Sequence, residues 1–234
     1  MIGVYDYTVI LTYLSMLSGV AGTILSMSGL GHPYIGMFFL LFCGLCDGFD
    51  GRVARTKKDR TEFEKNYGIQ IDSFSDLIAF GVLPVAIGMA MLRASIKYHD
   101  LPKKIDESGQ VIWYPVILII IGLIYVLAAM IRLSYFNATE DERKAETEAK
   151  GRMYFTGMPV TMASIFFPLV LVLHFGLRFD FSIVYFIVML VMAFLFVLKI
   201  KIPKAGSKML AFLIIFGFLE FIAILLFRIF GKGI

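Results

Sequence analysis

The chain of 234 residues is too apolar for a water-soluble protein. Hydrophobic residues make up 59% and charged residues 17% of it, and the mean hydropathy is +0.83, whereas soluble domains contain about 45–50% apolar and about 25% charged residues. With 23 Phe and only 2 Cys, a disordered chain and a disulfide-stabilised scaffold are also excluded. We therefore predict an all-α integral membrane protein.

The positive charge of the chain does not indicate nucleic acid as a partner. The formal net charge is +4, but most Lys and Arg residues lie in short stretches between long apolar segments, where they determine membrane orientation. The chain lacks the interleaved basic and aromatic residues that bind single strands. Membrane lipids are the expected surroundings, and no nucleic acid is expected as a partner.

Apolar segments long enough to cross a bilayer follow one another along the chain. A spanning helix needs about 20 apolar residues, because it rises 1.5 Å per residue through a hydrocarbon core of about 30 Å. The predicted segments are 7–30, 34–56, 69–94, 113–138, 158–175, 180–199 and 207–230. We expect a polytopic helical bundle of about seven transmembrane helices, with six to eight compatible with the segment ends, in one membrane domain over residues 1–234.

The basic residues also predict the orientation of this bundle. Fourteen Lys and Arg residues lie in the loops near residues 60, 145 and 203, and seven lie on the opposite side. Because cytoplasmic loops carry the excess of positive charge, these three loops and the N-terminus are predicted in the cytoplasm. The first segment is too long for the apolar core of a signal peptide, so we expect it to be retained in a multi-pass protein of the cell membrane.

Four aspartates lie where the second predicted segment ends and the third begins. An Asp near the bilayer centre raises the free energy of membrane insertion by about 2.5–3.5 kcal/mol, so an Asp within a predicted span indicates a functional role. Asp47 and Asp50 are three residues apart, and Asp72 and Asp76 are four apart, so each pair shares one helical face. Since the two segments are antiparallel neighbours, all four carboxylates are expected to meet just inside the cytoplasmic surface.

Four converging carboxylates require neutralisation by cations. Two divalent ions would balance their charge, and hard oxygen ligands suit Mg²⁺ or Mn²⁺. Such a two-metal cluster at a membrane surface is typical of phosphoryl chemistry, in which the ions stabilise the attacking and leaving oxygens. By spacing alone, the alternative is four aspartates at the boundary between helix and water, each paired with a nearby Arg or Lys.

The residues between the carboxylates favour the metal hypothesis. The patterns Asp47-x-x-Asp50-Gly51-x-x-Ala54-Arg55 and Gly68-x-x-x-Asp72-x-x-x-Asp76 resemble the signature of the CDP-alcohol phosphatidyltransferase family, with eight of its positions present in order. One departure is a connection of twelve residues, Thr56–Tyr67, where the usual pattern has eight. The extra residues add about one helical turn or a longer loop before Gly68, so the Gly68–Asp76 face keeps its phase.

The resemblance implies a role for each acidic residue of the motif. Asp47, Asp50 and Asp72 are expected as ligands of two Mg²⁺ or Mn²⁺ ions. Asp76 is expected as a further ligand and as the general base that takes the proton from the acceptor hydroxyl. The family resemblance also implies a homodimer.

The other motif residues are expected to bind the CDP group. The small residues Gly51, Ala54 and Gly68 would let the cytosine ring and ribose lie against the backbone. Arg55 would contact a phosphate or hold a ligand aspartate, or else be only a topology charge. Two residues of the first segment, Thr12 and Ser15, fall where relatives contact the nucleotide.

A second pair of motifs concerns the acceptor. The sequence Arg132-Leu-Ser-Tyr-Phe-Asn137, followed by Phe155-Thr-Gly157-Met-Pro159, resembles the phosphatidylserine synthase branch of the family. Arg132 would bind the carboxylate of L-serine in a bidentate fork, with Asn137 and Gly157 nearby. Alternatively, Arg132 pairs internally with one of the aspartates or with Glu220, and Gly157 only shapes the start of a helix.

Together these motifs predict an enzyme. The resemblance covers roughly residues 12–160, so the catalytic core is expected over about 7–160, with the remaining transmembrane helices over 158–230. The predicted reaction transfers a phosphatidyl group from CDP-diacylglycerol, or its archaeal ether-lipid equivalent, to L-serine and releases CMP. One alternative is another acceptor, such as glycerol 3-phosphate or inositol phosphate. From a different class, the alternative is a cation transporter, which would spread its acids through the membrane depth.

Overall fold

The computed structural model describes residues 2–29, 35–98, 113–140, 154–177, 179–203, 215, 217–220, 222 and 226. Seven α-helices lie in these ranges: α1 Ile10–Ser28, α2 Ile35–Ala54, α3 Glu62–Asp76, α4 Leu83–Tyr98, α5 Tyr114–Ala138, α6 Ala163–Leu177 and α7 Ser182–Val197. Two three-residue strands, β1 Tyr154–Thr156 and β2 Lys201–Pro203, form an antiparallel pair. The predicted all-α membrane fold is confirmed, and most of the predicted segment 207–230 lies outside the described residues.

Several helices have the length and composition of membrane spans. Ile10–Ser28, Glu62–Ser95 and Pro115–Ala138 are each long and apolar enough to cross a bilayer, and Val160–His174 and Ser182–Val197 are shorter apolar helices. Helix α2 has 20 residues, but its last two turns carry Asp47, Asp50 and Arg52. The charged part of α2 is therefore confined to one end of an otherwise apolar helix.

Helix α3 begins earlier than the apolar pattern predicts, and this corrects the predicted segment 69–94. Thr61 is its N-cap: the Thr61 side chain accepts from the Glu64 backbone N–H, and the Glu64 side chain accepts from the Thr61 backbone N–H. This capping box stabilises the first turn without apolar residues, so hydropathy alone could not detect it. The second half of the connection Thr56–Tyr67 is thus the helical start of α3 rather than a loop.

Helices α3 and α4 form one continuous rod with a π-helical segment, Leu77–Val82, between them. Pro84 has no backbone N–H, so the carbonyl of Phe80, four residues earlier, loses its usual helical donor. The hydroxyl of Tyr125 on α5 donates to this carbonyl at 2.7 Å, and Tyr185 on α7 donates to the Pro84 carbonyl at 2.8 Å. Two buried tyrosines therefore tie the middle of this rod to α5 and α7.

The core lies between α2, the α3–α4 rod, α5, α6 and α7, and a group of aromatic rings packs within it. Tyr125 packs against Phe167 and Phe196, with ring centroids 5.7 and 5.5 Å apart, and Phe167 packs against Tyr185 at 4.7 Å. Helices α1 and α2 instead approach closely through small residues: a Cβ on Gly22 would lie 2.7 Å from the Phe39 Cβ. Such close contacts are typical of helices that associate within lipid.

The helices alternate in direction, so their ends meet in two groups. We call the end that holds Asp47, Asp50 and Asp72 the carboxylate end; there β1 pairs with β2, and the Gly157 N–H donates to the Ile200 carbonyl at 2.7 Å. At the opposite end, Ser95 of α4 contacts Ser182 of α7. The alternation brings the last turns of α2, α5 and α7 to the carboxylate end.

Candidate functional site

Three of the four motif aspartates meet at the carboxylate end. One carboxylate oxygen from each of Asp47, Asp50 and Asp72 lies within 4.8 Å of the others. Within the described ranges, the ion pairs found join Lys57 to Asp6 and to Glu64, and none joins these three aspartates to Lys or Arg. The described residues therefore do not support the alternative of ion-paired aspartates, and the all-oxygen donor set fits a hard divalent cation.

Asp76 lies one helical turn deeper along α3 than Asp72, outside this group of three. It is buried, with 8% exposure, at the point where α3 passes into the π-helical segment. Its neighbour Ser75 donates from its hydroxyl to the Thr12 carbonyl at 3.2 Å, which joins α3 to α1. Asp76 is thus held one helical turn from Asp72, beside the cluster but outside the group of three.

Helix α1 supplies the two hydroxyl residues that the sequence places at the site. The Thr12 hydroxyl donates to Asp50 Oδ2 at 3.4 Å, so Thr12 contacts the cluster directly. Ser15 lies one turn deeper and is fully buried, and its hydroxyl has no hydrogen-bond partner within the part of the chain that the structure describes. The Ser15 carbonyl accepts from Cys43 Sγ at 3.3 Å.

Each motif glycine is covered by an arginine guanidinium. A Cβ on Gly51 would lie 3.3 Å from an Nη atom of Arg55, and a Cβ on Gly68 would lie 2.8 Å from Nη2 of Arg60. Ala54 is the last residue of α2, directly before Arg55, and it is half-buried. Arg60 was not a predicted site residue. Its place in the long connection before Gly68 was the only sequence signal that could have drawn attention to it.

The residues predicted to bind the acceptor substrate, serine, lie in two different places. Asn137, at the end of α5, donates from Nδ2 to the Ser73 hydroxyl at 2.7 Å, directly beside Asp72 in the chain. Arg132 is buried and donates from Nε to the Met158 carbonyl at 3.0 Å, and it lies 5.4 Å from the centroid of the Phe136 ring. Asn137 therefore reaches the cluster helix, and Arg132 holds the start of the segment that follows β1.

Gly157 is a position where a side chain would not fit. Its φ is +80°, and a Cβ there would lie 3.0 Å from the Phe196 carbonyl and 3.3 Å from Nε of Arg132. The Gly157 carbonyl also accepts from Nη2 of Arg132 at 3.4 Å. Both carboxylate oxygens of Glu220 are buried without a partner among the described residues, so Glu220 does not pair with Arg132.

A polar network stabilises the connection between α2 and α3. Lys57 Nζ lies 2.8 Å from Asp6 Oδ2 and 2.6 Å from Glu64 Oε1. Hydrogen bonds from Lys57 and then Thr8 lower the pKa of Asp6 to about 2. The carboxylates of Asp6 and Glu64 in turn raise the pKa of Lys57. The N-terminal residues are thereby fixed against the connection that carries Arg60.

Comparison with known proteins gives a consistent family. A model of the CDP-alcohol phosphatidyltransferase family matches residues 8–198. The chain is 29% identical over 163 residues to a CDP-diacylglycerol–serine O-phosphatidyltransferase of Saccharomyces cerevisiae, covering 65% of this chain and 50% of the relative. It is 30% identical over 147 residues to the enzyme of the same name from Bacillus subtilis, covering 62% of this chain and 66% of the relative.

An archaeal relative matches to a similar degree. The archaetidylserine synthase of Methanothermobacter thermautotrophicus is 28% identical over 156 residues, which cover 67% of this chain and 53% of the relative. The chain thus spans about half the length of the yeast and archaeal relatives.

Proposed function

Because the chain belongs to the CDP-alcohol phosphatidyltransferase family, we propose that it transfers the phosphatidyl group of CDP-diacylglycerol, or of its ether-lipid counterpart, to the hydroxyl of L-serine. The reaction releases CMP. The observation that carries this proposal is the set of three carboxylates, Asp47, Asp50 and Asp72, within 4.8 Å of one another at one end of a membrane bundle. The names of the bacterial, yeast and archaeal relatives support serine as the acceptor.

The acidic residues have the composition needed to hold two divalent ions. Asp47, Asp50 and Asp72 would be the ligands, with Asp76 as a fourth from the next turn of α3. Bound Mg²⁺ or Mn²⁺ would neutralise the diphosphate and stabilise the charge that develops on its oxygens. The Thr12 hydroxyl, by donating to Asp50 Oδ2, orients one ligand, as hydrogen-bond partners outside the ligand set commonly do.

Asp76 is the proposed general base. Its carboxylate takes the proton of the serine hydroxyl as the serine oxygen forms a bond to the phosphorus that carries the lipid. The bond between that phosphorus and the oxygen bridging to the nucleotide breaks, and CMP leaves with this oxygen. The position of Asp76, buried and one turn away from the three clustered carboxylates, supports this role in addition to that of a ligand.

The acceptor is proposed to bind between the cluster and α5. Asn137 contacts Ser73 beside Asp72, so an amino acid held near Asn137 would lie close to the reacting phosphorus. Arg132 offers a guanidinium whose planar fork matches a carboxylate. Its contacts with the Met158 and Gly157 carbonyls fix the direction of that fork.

The location of the site suits a substrate with one lipid part and one water-soluble part. The carboxylates lie at one end of apolar helices such as Ile10–Ser28 and Pro115–Ala138. The acyl or isoprenoid chains therefore remain in the bilayer while the cytidine part lies in water. From the excess of Lys and Arg in the loops at this end, we place it in the cytoplasm of a multi-pass protein of the cell membrane. We also propose a homodimer.

An assay of CMP release tests this function. The purified protein in detergent micelles would receive CDP-diacylglycerol with serine, glycerol 3-phosphate or inositol phosphate, each with Mg²⁺, Mn²⁺ or EDTA. Release that requires both serine and a divalent ion, and that is lost in Asp76→Asn, is the expected result. Metal-dependent release with another acceptor would contradict the roles of Arg132 and Asn137. No release with any acceptor from folded protein would favour cation transport.

A further inference from the structure

We propose that Tyr125 is a positioning residue for Asp76. The Tyr125 hydroxyl donates to the Phe80 carbonyl at 2.7 Å and so maintains the π-helical segment Leu77–Val82, which begins directly after Asp76. This segment sets the rotation of α3 and thereby the direction of the Asp76 carboxylate. The role of Tyr125 rests on the proposed function, because it takes Asp76 as the group that accepts the serine proton. Tyr125 lies outside the motifs that resemble the family.

The hydrogen bonding of the α3–α4 rod changes directly after Asp76. The Leu77 N–H donates to carbonyls three and four residues earlier, as in 3₁₀- and α-helices. The Leu83 N–H instead donates to the Ile78 carbonyl, five residues earlier. Because a π-helical bond encloses one residue more than an α-helical bond, the segment determines how far α3 is rotated relative to α4. Asp76, as the last residue of α3, takes its direction from that rotation.

The Tyr125 hydroxyl replaces a donor that the Phe80 carbonyl lacks. An N–H at position 84 would make the α-helical bond to this carbonyl, but Pro84 has none. Phe80 and Tyr125 are both fully buried, so bulk water does not take the place of the hydroxyl. Within a membrane helix, a carbonyl that a proline has freed is satisfied by a neighbouring helix. Removal of the hydroxyl therefore favours a different set of hydrogen bonds in the segment, with a different rotation of α3.

Close packing around the segment transmits such a change to Asp76. A Cβ on Gly19 of α1 would lie 3.2 Å from the Ala79 Cα, so the backbones of α1 and the segment pass very close to each other. Beyond the segment, the Tyr185 hydroxyl fixes the Pro84 carbonyl at 2.8 Å. Densely packed interiors transmit displacements instead of absorbing them. With α4 fixed on one side and α1 close beside the segment, a change in its hydrogen bonds displaces the turn that carries Asp76.

A matched pair of variants tests this role. Tyr125→Phe removes the donor to the Phe80 carbonyl, and we expect kcat for CMP release to fall about 10–10²-fold, as for a displacement of about 1 Å at the reacting group. The KM for CDP-diacylglycerol should not change, because the three clustered carboxylates are untouched. The control is Tyr185→Phe, which removes an equally buried hydroxyl from the same rod. It should keep its kcat, because the Pro84 carbonyl lies within α4, where a helical N–H four residues later can serve it. Normal kcat in Tyr125→Phe, or equal loss in both variants, would overturn the inference.

Combination with Asp76→Asn distinguishes positioning from a general loss of stability. If Tyr125 acts through Asp76, Tyr125→Phe should cause no further loss of kcat in an Asp76→Asn protein, since residues that act as one unit have non-additive effects. Radiolabelled CDP-diacylglycerol makes the residual rate measurable. A general destabilisation would lower CMP release by the same factor in both backgrounds, and that result would contradict the positioning role.

Hydrogen exchange of the segment gives a readout without turnover. The amides of Leu77–Val82, followed by mass spectrometry in detergent, should exchange faster in Tyr125→Phe than in the unaltered protein or in Tyr185→Phe. Unchanged exchange would show that Tyr125 does not maintain the segment.

If Tyr125→Phe alone does not fold, its combination with Pro84→Ala decides the matter, because alanine supplies an N–H four residues after Phe80. This double variant should fold with an α-helical bond in place of the π-helical segment and remain slow; normal kcat in it would overturn the inference. Absence of CMP release from the unaltered protein with any acceptor would overturn the proposed function, whereas normal kcat in Tyr125→Phe would overturn the role of Tyr125 alone.

Discussion

Both ends of the bundle contain acidic side chains that are at least partly buried, but the surroundings of these acids differ. At the end opposite the carboxylates, Asp180 Oδ1 accepts from the Ser95 hydroxyl at 2.9 Å, the Ser182 N–H at 2.9 Å and the Ser182 hydroxyl at 2.7 Å. At the carboxylate end, Asp47, Asp50 and Asp72 point acceptor oxygens at one another within 4.8 Å. An acid that accepts several hydrogen bonds stabilises a fold, whereas three carboxylates with oxygens this close together have the donor set of a divalent-cation site.

The hydrogen-bond partners of an acid, rather than its presence, therefore distinguish the two ends of this bundle. His174 illustrates the same point: its Nδ1 accepts from the Phe181 N–H at 3.2 Å, so this nitrogen is engaged in the turn between α6 and α7. The comparison predicts that substitutions at the carboxylate end abolish chemistry, whereas substitutions at the opposite end lower stability.

The largest effect is expected from Asp76→Asn. Loss of the general base should lower CMP release by about 10²–10⁴-fold, while the protein remains folded because asparagine has a similar shape. The matched control is Asp180→Asn at the opposite end, which should retain activity. Comparable loss in both variants would show that the two ends do not differ as described.

The second-largest effect is expected on metal binding at the carboxylate end. Asp72→Asn removes one ligand of the cluster and should weaken Mn²⁺ binding, measured by electron paramagnetic resonance, by more than the roughly 10–100-fold typical of losing an outer partner. Thr12→Val removes such an outer partner of Asp50. The loss of Mn²⁺ affinity in this variant should be at the low end of that range, because the hydrogen bond from Thr12 to Asp50 is 3.4 Å long. Unaltered Mn²⁺ binding in Asp72→Asn would remove the cluster from consideration as a metal site.

The reverse effect is expected from Asp180→Ala. It leaves the Ser182 N–H without its acceptor, while the Ser95 and Ser182 hydroxyls keep their contact with each other. The unsatisfied N–H should cost about 1–3 kcal/mol of stability. Thermal unfolding in detergent should show a lower Tm, and the KM for CDP-diacylglycerol should not change. Asp180→Asn, which keeps an acceptor oxygen, should be less destabilised; equal stability of all three proteins would contradict the structural role.

A smaller effect at the carboxylate end is expected from Asn137→Ala. The variant loses the bond to Ser73 and the proposed contact of Asn137 with the serine substrate. Loss of one hydrogen bond to the substrate should raise the KM for serine by roughly three- to tenfold. The KM for CDP-diacylglycerol should stay the same, since Asn137 is assigned to the acceptor. An equal rise in both KM values would indicate that Asn137 only positions α3.

The smallest effect is expected from Lys57→Ala, and it depends on pH. Because the pKa of Asp6 falls from 3.8 to about 2 on folding, its contribution to stability is present above pH 3.8 and is lost as the pH falls toward 2. The raised pKa of Lys57 means that its contribution persists below pH 10.5 and is lost only as the pH rises above that value. The Tm difference between the two proteins should be constant from pH 5 to 9 and narrow below pH 3.8; a Tm difference that widens in acid would contradict this network.

Apolar periodicity and acid spacing predicted most of what determines the site. Asp47 and Asp50, three residues apart on α2, share one helical face. Their placement against Asp72 followed from the antiparallel order of the two neighbouring segments. The start of α3 at Glu62 was missed, since a capping box has no hydropathy signal. The acceptors of Arg132 were also missed, because they are backbone carbonyls and any residue type could supply them.

The pairing of β1 with β2 affects the order in which the protein can assemble during synthesis. The Asp47–Asp72 cluster needs only the first three helices, whereas β1 has no partner until Lys201–Pro203 leave the ribosome. Helices α6 and α7, at 15 and 16 residues, are shorter than a typical span. In the chain they lie between β1 and β2, so the strand pair joins the two ends of this helical hairpin. They would therefore enter the membrane as a hairpin, and the carbonyls that accept from Arg132 would take their final positions well after the three clustered aspartates.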